Sequence, residues 1–348
     1  MGWANMRWPD PILDVSISIA NTNNKDLLRE CLRSLHATPP VCSHEIIVVD
    51  NASTDGSPGM VREEFPSVKL VACTQRRVFA RNHNIGFMHA RGRYFLPLNE
   101  DTLVPEGTID RMFQFIDENP RFGEVGCRTV SLDGSVQRTA YRFQRPLSYL
   151  LKQSFLDRLL PLPYSITLHY QHEPPLSQEV ESVTGVCFIM PSDLYREVGG
   201  LDEGFHQLGD DYEICYKARK AGYGVYYLAD VQIEHHYGKS TSSYSYIYHS
   251  SLGFLYFSRK HNWHKKGMWA SIAAVNLGKL PLRLIQCVFM PGSKLLRSKV
   301  AGHFDVLLYM FFGIDKTPGQ PTTLEPEAVP AEYAKKEEGA PWTPKSSS

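Results

Sequence analysis

The chain has 348 residues, 43% hydrophobic and 21% charged, and its 37 basic and 37 acidic side chains leave no net charge. Those proportions are ordinary for a soluble protein, and the length allows one large α/β domain with appendages or two domains. Seven cysteines, an odd number with no C-x-x-C pair, argue against a disulfide framework or a zinc ribbon and fit a reducing cytosol. The opening Met1 to Met6 has no apolar core, so no signal peptide is expected.

In chain order, Asp14–Ala20 reads as a strand, and Lys25–Ala37 sets Leu27, Leu28, Cys31, Leu32 and Leu35 on one helical face behind Asn23 or Asn24 as a cap. Ile46 to Val49 is a run of four β-branched residues, the pattern of a strand buried on both faces, and it empties into Asp50-Asn51 and a turn-rich loop. Ligands in open α/β sheets bind at such strand ends, so Asp50 sits where a nucleotide base or ribose could lie. A short helix closing at Val61–Phe65, a strand at Val68–Ala72, a helix at Ala80–Ala90 and an apolar run at Tyr94–Leu98 follow. This alternation predicts a doubly wound sheet. A helix over Pro105–Glu118 and a hairpin turn at Asp133-Gly134 come next. Residues 142–179 show no clean period. Val183–Met190 reads as a strand, Asp210–Ala221 as a helix and Val231–Ile233 as a short strand.

Three clusters carry chemistry. Asn99-Glu100-Asp101 ends a strand, and a carboxylate there can hold Mg²⁺ or Mn²⁺ that also binds a diphosphate; the plain alternative is a helix cap before Pro105. Asp210, Asp211 and Glu213 open a helix, where they suit the helix dipole or supply a general base that the dipole keeps ionised. His235-His236 follows a strand and offers imidazole to a metal, or is structural. No G-x-G-x-x-G after a strand, G-x-x-x-x-G-K-[ST] or H-E-x-x-H occurs, which argues against a dinucleotide oxidoreductase, a P-loop NTPase and a zincin.

Charge is unevenly spread. Residues 235–304 contain no Asp or Glu, but they contain Arg259, Lys260, Lys279, Arg283, Lys294, Arg297 and Lys299, among others, with Trp263, Trp269, Phe289 and Met290 interleaved. Lys279 and Arg283 interrupt the best apolar run, so no membrane span is expected, and the block suits an anionic membrane surface or a basic helical subdomain. No nucleic-acid module accompanies it, and no nucleic-acid partner is expected. From about residue 316 the chain is rich in Pro, Glu, Lys and Ser, and a disordered tail is expected.

The ordered set VSISIANTNNKDLLRECLRSL, EIIVVDNASTDGS, FARNHNIGFMHARGRYFLPLNEDT, TGVCFIMPSDLYREVGGLDEGF and GDDYEICYKARKAGYGVYYLADVQIEHHYGKS resembles the family 2 inverting glycosyltransferases of GT-A fold, in particular their rhamnosyltransferase-like branch. The resemblance implies a GT-A domain over 1–240, with a nucleotide-sugar half about 14–130 and an acceptor half about 131–240, then a basic helical extension at 241–315. It implies a UDP- or dTDP-sugar donor, a glycan or lipid-linked acceptor and a Mn²⁺ or Mg²⁺ cofactor, in a cytoplasmic or peripheral membrane enzyme. Asp50 would contact the pyrimidine base, with Ala20, Asn21 and Asn23 in the same pocket, and Asn84, Asn99 and Glu100 would lie near the donor. Asp101 would bind the metal with His235, His236 being the near alternative, and Asp211 would be the base, with Asp210 beside it. The sequence departs from the family at Val78, usually Gly, at Glu100, usually uncharged, and at Asp210, usually Glu. An inactive nucleotide-sugar-binding protein and a sugar nucleotidyltransferase are the alternatives; the latter would need a Gly-rich basic loop after the first strand, which Ala20–Lys25 is not.

Overall fold

The fold is described from a computed structural model, which covers residues 10–154, 176–206, 208–236 and 243–317. The expected tail lies outside the described residues from 318 on, as do the opening residues and 155–175 of the irregular stretch.

The first half alternates as its sequence implies: β1 (Leu13–Asn21), α1 (Lys25–Ala37), β2 (His44–Asn51), α2 (Ser57–Glu64), β3 (Lys69–Cys73), α3 (Phe79–Met88) and β4 (Gly92–Asn99). A short β5 (Thr102–Leu103), α4 (Thr108–Glu118), β6 (Phe122–Val130), β7 (Val136–Gln137), β8 (Ala140–Tyr141) and α5 (Pro146–Ser154) follow. After the undescribed stretch come β9 (Gln178–Val180), β10 (Ser182–Val183), β11 (Phe188–Pro191), α6 (Ser192–Glu197), α7 (Asp210–Lys220) and β12 (Gly224–His235). Three helices close the described chain: α8 (Ser243–Lys260), α9 (Lys265–Phe289) and α10 (Lys294–Phe312).

The main sheet has the order β3-β2-β1-β4-β11-β6-β12-β5, parallel from β3 to β4, with β11 antiparallel to both neighbours and β12 parallel to β6. Helices cover both faces. Leu28, Leu32 and Leu35 of α1, Met60 of α2 and Met112 of α4 share one core with Ile17, Ile19 and Val48, while Phe87 of α3, Tyr195 of α6 and Ile214 of α7 share the other with Phe95 and Phe188. The fold is thus the doubly wound, mostly parallel mixed sheet expected.

Four local readings change. The strand expected over Val183–Met190 is two, because Thr184-Gly185 breaks it: β10 pairs with β8 in a small separate sheet, and β11 joins the main one. The short strand at Val231–Ile233 is the end of the 12-residue β12, whose register to β6 shifts between Leu228 and Gln232. The amino end of α1 is capped from across the chain. Asp55 accepts from the Lys25 N–H at 2.8 Å, while the Asn24 amide turns away to Glu100 at 2.7 Å. Finally, α9 runs 25 residues through Pro281 and contains an 18-residue window of mean hydropathy 1.3, so by length and composition it is long and apolar enough to cross a membrane despite Lys279 and Arg283.

The C-terminal helices build a core of their own, in which Tyr149 of α5, Leu252 of α8, Ile272 of α9 and Val306 of α10 are buried together. This layer is fastened to the sheet domain: Lys260 of α8 reaches Asp202 at 2.7 Å and Glu213 at 2.9 Å, and Trp263 donates to the Gln144 carbonyl at 2.9 Å.

At the start of β4 the backbone of β1 leaves no room for a side chain. A Cβ on Gly92 would sit 2.4 Å from the Ser16 nitrogen and 2.7 Å from the Val15 carbonyl carbon. Because the obstacle is backbone, Gly92→Ala should destabilise the protein by about 1–3 kcal/mol. Gly59→Ala, where a Cβ meets nothing within 4 Å, should leave thermal melting unchanged or slightly improved. Equal melting temperatures for the two variants would refute this.

Candidate functional site

The register of the parallel strands lines up the expected residues at one edge. Asn21 pairs with Asp50 across β1 and β2, and Ala20 pairs with Asn99 across β1 and β4. Asp50 is buried; its Oδ1 accepts from Asn21 Nδ2 at 3.0 Å and its Oδ2 from the Ser53 N–H at 2.9 Å. Asn23 stands at φ 54° and accepts from the Thr54 N–H at 2.7 Å, which laces the loops after β1 and β2 together. Asn51 clasps the backbone of Arg77 on both sides, at 2.7 and 3.0 Å, and so ties this buried arginine's backbone to the end of β2. Arg77 was not expected from sequence; the Arg76-Arg77 pair before a helix was the available signal.

Asn84 of α3 is committed to protein partners. Its amide donates to the Leu201 carbonyl at 2.8 Å and Glu203 Oε1 at 2.9 Å, and its oxygen accepts from Tyr195 at 3.0 Å and the Leu201 N–H at 3.1 Å. All four hydrogen-bonding positions are filled by protein, so Asn84 pins the loop after α6. Arg81 on the same helix pairs with Glu203.

The second group forms where β4 turns into β5. Asp101 is buried, and its Oδ1 lies 3.2 Å from His235 Nε2. The pair is held by backbone as well: His235 faces Thr102 in the β12–β5 ladder, and the His236 N–H donates to the Asp101 carbonyl at 3.0 Å. Gln137 of β7 fixes the imidazole, with Oε1 2.9 Å from Nδ1 and Nε2 donating to the His235 carbonyl at 2.9 Å. No motif pointed to Gln137. The His236 ring turns elsewhere, 3.8 Å from Glu30, so of the two histidines it is His235 that stands beside Asp101. Burial, then the adjacent Asp101 charge, pushes Glu100 up to about 7. Asn99 Oδ1 is buried with no hydrogen-bond partner among the described residues.

The third group opens α7. Gly209 stands at φ 115° and starts the helix so that Asp211 faces a cavity of about 170 Å³, walled also by Thr184, Arg142, Lys152, Tyr246 and Phe254. Asp211 accepts from the Gly185 N–H at 3.0 Å and the Tyr212 N–H at 2.8 Å. Asp210, its neighbour, is buried and does not line the cavity. Glu213 points to a different task. Burial alone would raise it, but His261, Lys217 and Lys260 hold it down at about 2. Burial raises Asp211, and burial followed by the Asp211 charge raises Asp210 well above the usual range, outweighing the backbone donors.

Two consecutive residues join the groups. The Val186 carbonyl accepts from the Asn99 N–H at 2.9 Å, while the Gly185 N–H donates to Asp211. A larger cavity, about 260 Å³, lies at the amino end of β4 around Gly92 and Tyr94, the far end of that strand from Asp101.

Behind Asp211, Glu124 of β6 is fully buried, and desolvation pushes it up to about 8. A carboxyl raised in the folded state binds more protons folded than unfolded, so it erodes stability as pH climbs from about 5 to 8. The neutral isostere Glu124→Gln should therefore raise the melting temperature at pH 8 and change it little at pH 5. Parallel melting curves for variant and parent across that range would contradict this.

The glycosyl transferase family 2 model matches residues 16–198, more than half of the chain. The N-acetylglucosaminyl-diphospho-decaprenol L-rhamnosyltransferase of Mycobacterium tuberculosis is 24% identical over 266 residues, which cover 68% of this chain and 81% of that protein. Among solved structures, the mannosyltransferase PcManGT from Pyrobaculum calidifontis, in complex with GDP-Man and Mn²⁺, superposes with a TM-score of 0.50 at 19% identity, covering 88% of this chain and 91% of that one. GalNAc-T7 with UDP, GalNAc and Mn²⁺ does so at 0.50 and 16% identity, covering 64% and 43%. At these identities the structural likeness speaks for the fold, which is GT-A. The chain belongs to glycosyl transferase family 2 and is a glycosyltransferase.

Proposed function

We propose that this glycosyltransferase moves a sugar from a UDP- or dTDP-sugar to a hydroxyl of a glycan or lipid-linked acceptor, by a single displacement that inverts the anomeric carbon. The observation that carries the reading is the Gly185-Val186 link, which sets the Asp211 carboxylate beside the turn bearing Asp101. The donor base stacks at the Asp50 edge, with Ala20, Asn21 and Asn23, and the Asn99–Asp101 turn receives the diphosphate. The relative in Mycobacterium tuberculosis, a rhamnosyltransferase acting on a diphospho-decaprenol-linked sugar by its name, supports rhamnose as donor sugar, a lipid-linked acceptor and a role in cell-surface polysaccharide synthesis.

A divalent metal, Mn²⁺ or Mg²⁺, fits Asp101 and His235. Two neighbouring ligands of an octahedral ion with bonds near 2.1 Å stand roughly 3.0 Å apart, and Asp101 Oδ1 and His235 Nε2 are 3.2 Å apart. In the neutral ring, a proton on Nδ1 toward Gln137 leaves the Nε2 lone pair aimed at the carboxylate, an arrangement a cation stabilises. Among the described residues there is no cluster of three or more metal-binding side chains, and Asp101 and His235 are the pair that would hold the ion. Bound there, the ion supplies neutralisation of charge on the departing diphosphate.

The protein does the rest. The acceptor enters the cavity beside Asp211, where aromatic walls and the cationic Arg142 and Lys152 suit a saccharide carried on a diphosphate. Asp211 takes the proton of the acceptor hydroxyl as its oxygen bonds to the anomeric carbon, and the sugar–phosphate bond breaks with its electron pair on the leaving nucleoside diphosphate. Burial that raises Asp211 makes it a stronger base, and its two backbone donors hold the carboxylate in place. Asp210, buried off the cavity, holds the start of the helix and makes no contact with substrate. We also assign the outward cations between 259 and 299 to an anionic membrane surface, where a lipid-linked acceptor would reside.

The test separates base from binding. Asp211→Asn should lower acceptor-dependent release of nucleoside diphosphate by about 10²–10⁴-fold, the usual range for a lost general base, with donor affinity unchanged. His235→Ala should instead weaken donor binding in Mn²⁺ to its metal-free level. A normal rate for Asp211→Asn, or undiminished metal dependence for His235→Ala, would exclude the respective role.

A further inference from the structure

The cations and the apolar surface of the C-terminal helices are concentrated at one place, the turn between α9 and α10. The last buried residue of α9 is Asn276 and the next along the chain is Leu296; none of residues 277–295 is buried. This protruding hairpin end carries Leu282, Ile285, Val288 at 76% exposure, Phe289 at 80% and Met290. So many large apolar side chains exposed side by side, with only Lys279, Arg283 and Gln286 as a polar stripe, mark a surface that is covered in use. Around it stand Arg283, Lys294, Arg297 and Lys299, in a stretch with no carboxylate from residue 235 to 304. Lys260 is not among the outward cations; it is spent on Asp202 and Glu213.

We propose that the α9–α10 turn inserts into a single leaflet of an anionic lipid membrane, with Arg283, Lys294 and Arg297 at the headgroups. This rests on the reading that the basic block faces a membrane, and it adds how far in the chain goes. Crossing is excluded by what α9 does first. Met268, Ile272 and Ala273 are buried against the other helices, and Asn276 is hydrogen-bonded to His303 at 2.7 Å. Lys279 still reaches Gln153 of α5 at 2.6 Å, so the protruding stretch begins at Leu280 and runs to Phe289. At about 1.5 Å per residue that stretch is roughly 15 Å long, short of the roughly 30 Å hydrocarbon layer and sufficient for one leaflet. Basic side chains near the ends of such a segment reach back to the phosphates, and an uninterrupted positive collar meets anionic lipid without repulsion.

The full chain is sedimented with sealed phosphatidylglycerol–phosphatidylcholine vesicles, alongside Val288→Glu/Phe289→Glu and Arg283→Gln/Arg297→Gln double variants. The parent should sediment, and the tip variant should bind at least about tenfold more weakly with unchanged circular dichroism and donor-dependent activity. The charge variant should weaken binding and reduce its sensitivity to salt. If the tip variant binds as the parent does while the charge variant is lost, contact is confined to the headgroups and insertion is wrong. If the parent itself does not sediment, the membrane-surface reading falls and the insertion with it.

Discussion

Two hydrogen bonds on adjacent residues hold the site together. The Gly185 N–H reaches Asp211 and the Val186 carbonyl takes the Asn99 N–H, so one dipeptide ties the start of α7 to the end of β4. β4 in turn carries Asp101 to His235 at the end of β12, and its neighbour β1 carries Asn21 to Asp50. Residues from six separate stretches, between positions 21 and 235, are therefore brought together by strand register and these two hydrogen bonds. The break at Thr184-Gly185 that splits one apolar run into β10 and β11 is what frees those two groups to face outward from the sheet.

Gathering acids at one edge has an electrostatic cost that the fold divides unevenly. Glu213 is compensated by three basic groups and stays low, whereas Glu100, Glu124, Asp210 and Asp211 are all raised by burial. The dipole of α7 does not reverse this, because desolvation of a buried carboxylate exceeds what a helix end contributes. The division suits a transferase. An acid tuned upward is a more effective proton acceptor, and a network that pairs Glu213 with Lys260 and His261 fastens α7 to the C-terminal helices beside the cavity that Asp211 lines.

Much of the first half of the chain was legible because local pattern and tertiary role coincide there. The period of Leu28, Cys31, Leu32 and Leu35 gives α1, and the β-branched run at Ile46–Val49 gives a central parallel strand. Less was legible where partners are remote. Asn84 reads as polar and suits a ligand, yet its partners lie more than 100 residues away and fill it completely. Asp210 and Asp211 cannot be told apart in a linear sequence, but one step around α7 turns one inward and the other to the cavity. Gln137 has no motif, since its role comes only from a hairpin folding over His235. The apolar run of α9 hid its nature for the same reason: only packing separates the half that is core from the half that is surface.

The central claim is that one carboxylate, Asp211, activates the acceptor while the donor is held with its diphosphate at the neighbouring Asn99–Asp101 turn, so that the sugar changes hands once. The anomeric configuration of the first product, read by proton NMR against the donor used, tests it most directly. The account predicts inversion. Retention would require either a second displacement or attack from the face the diphosphate leaves, and would contradict the role of Asp211 and the inverting displacement built on it.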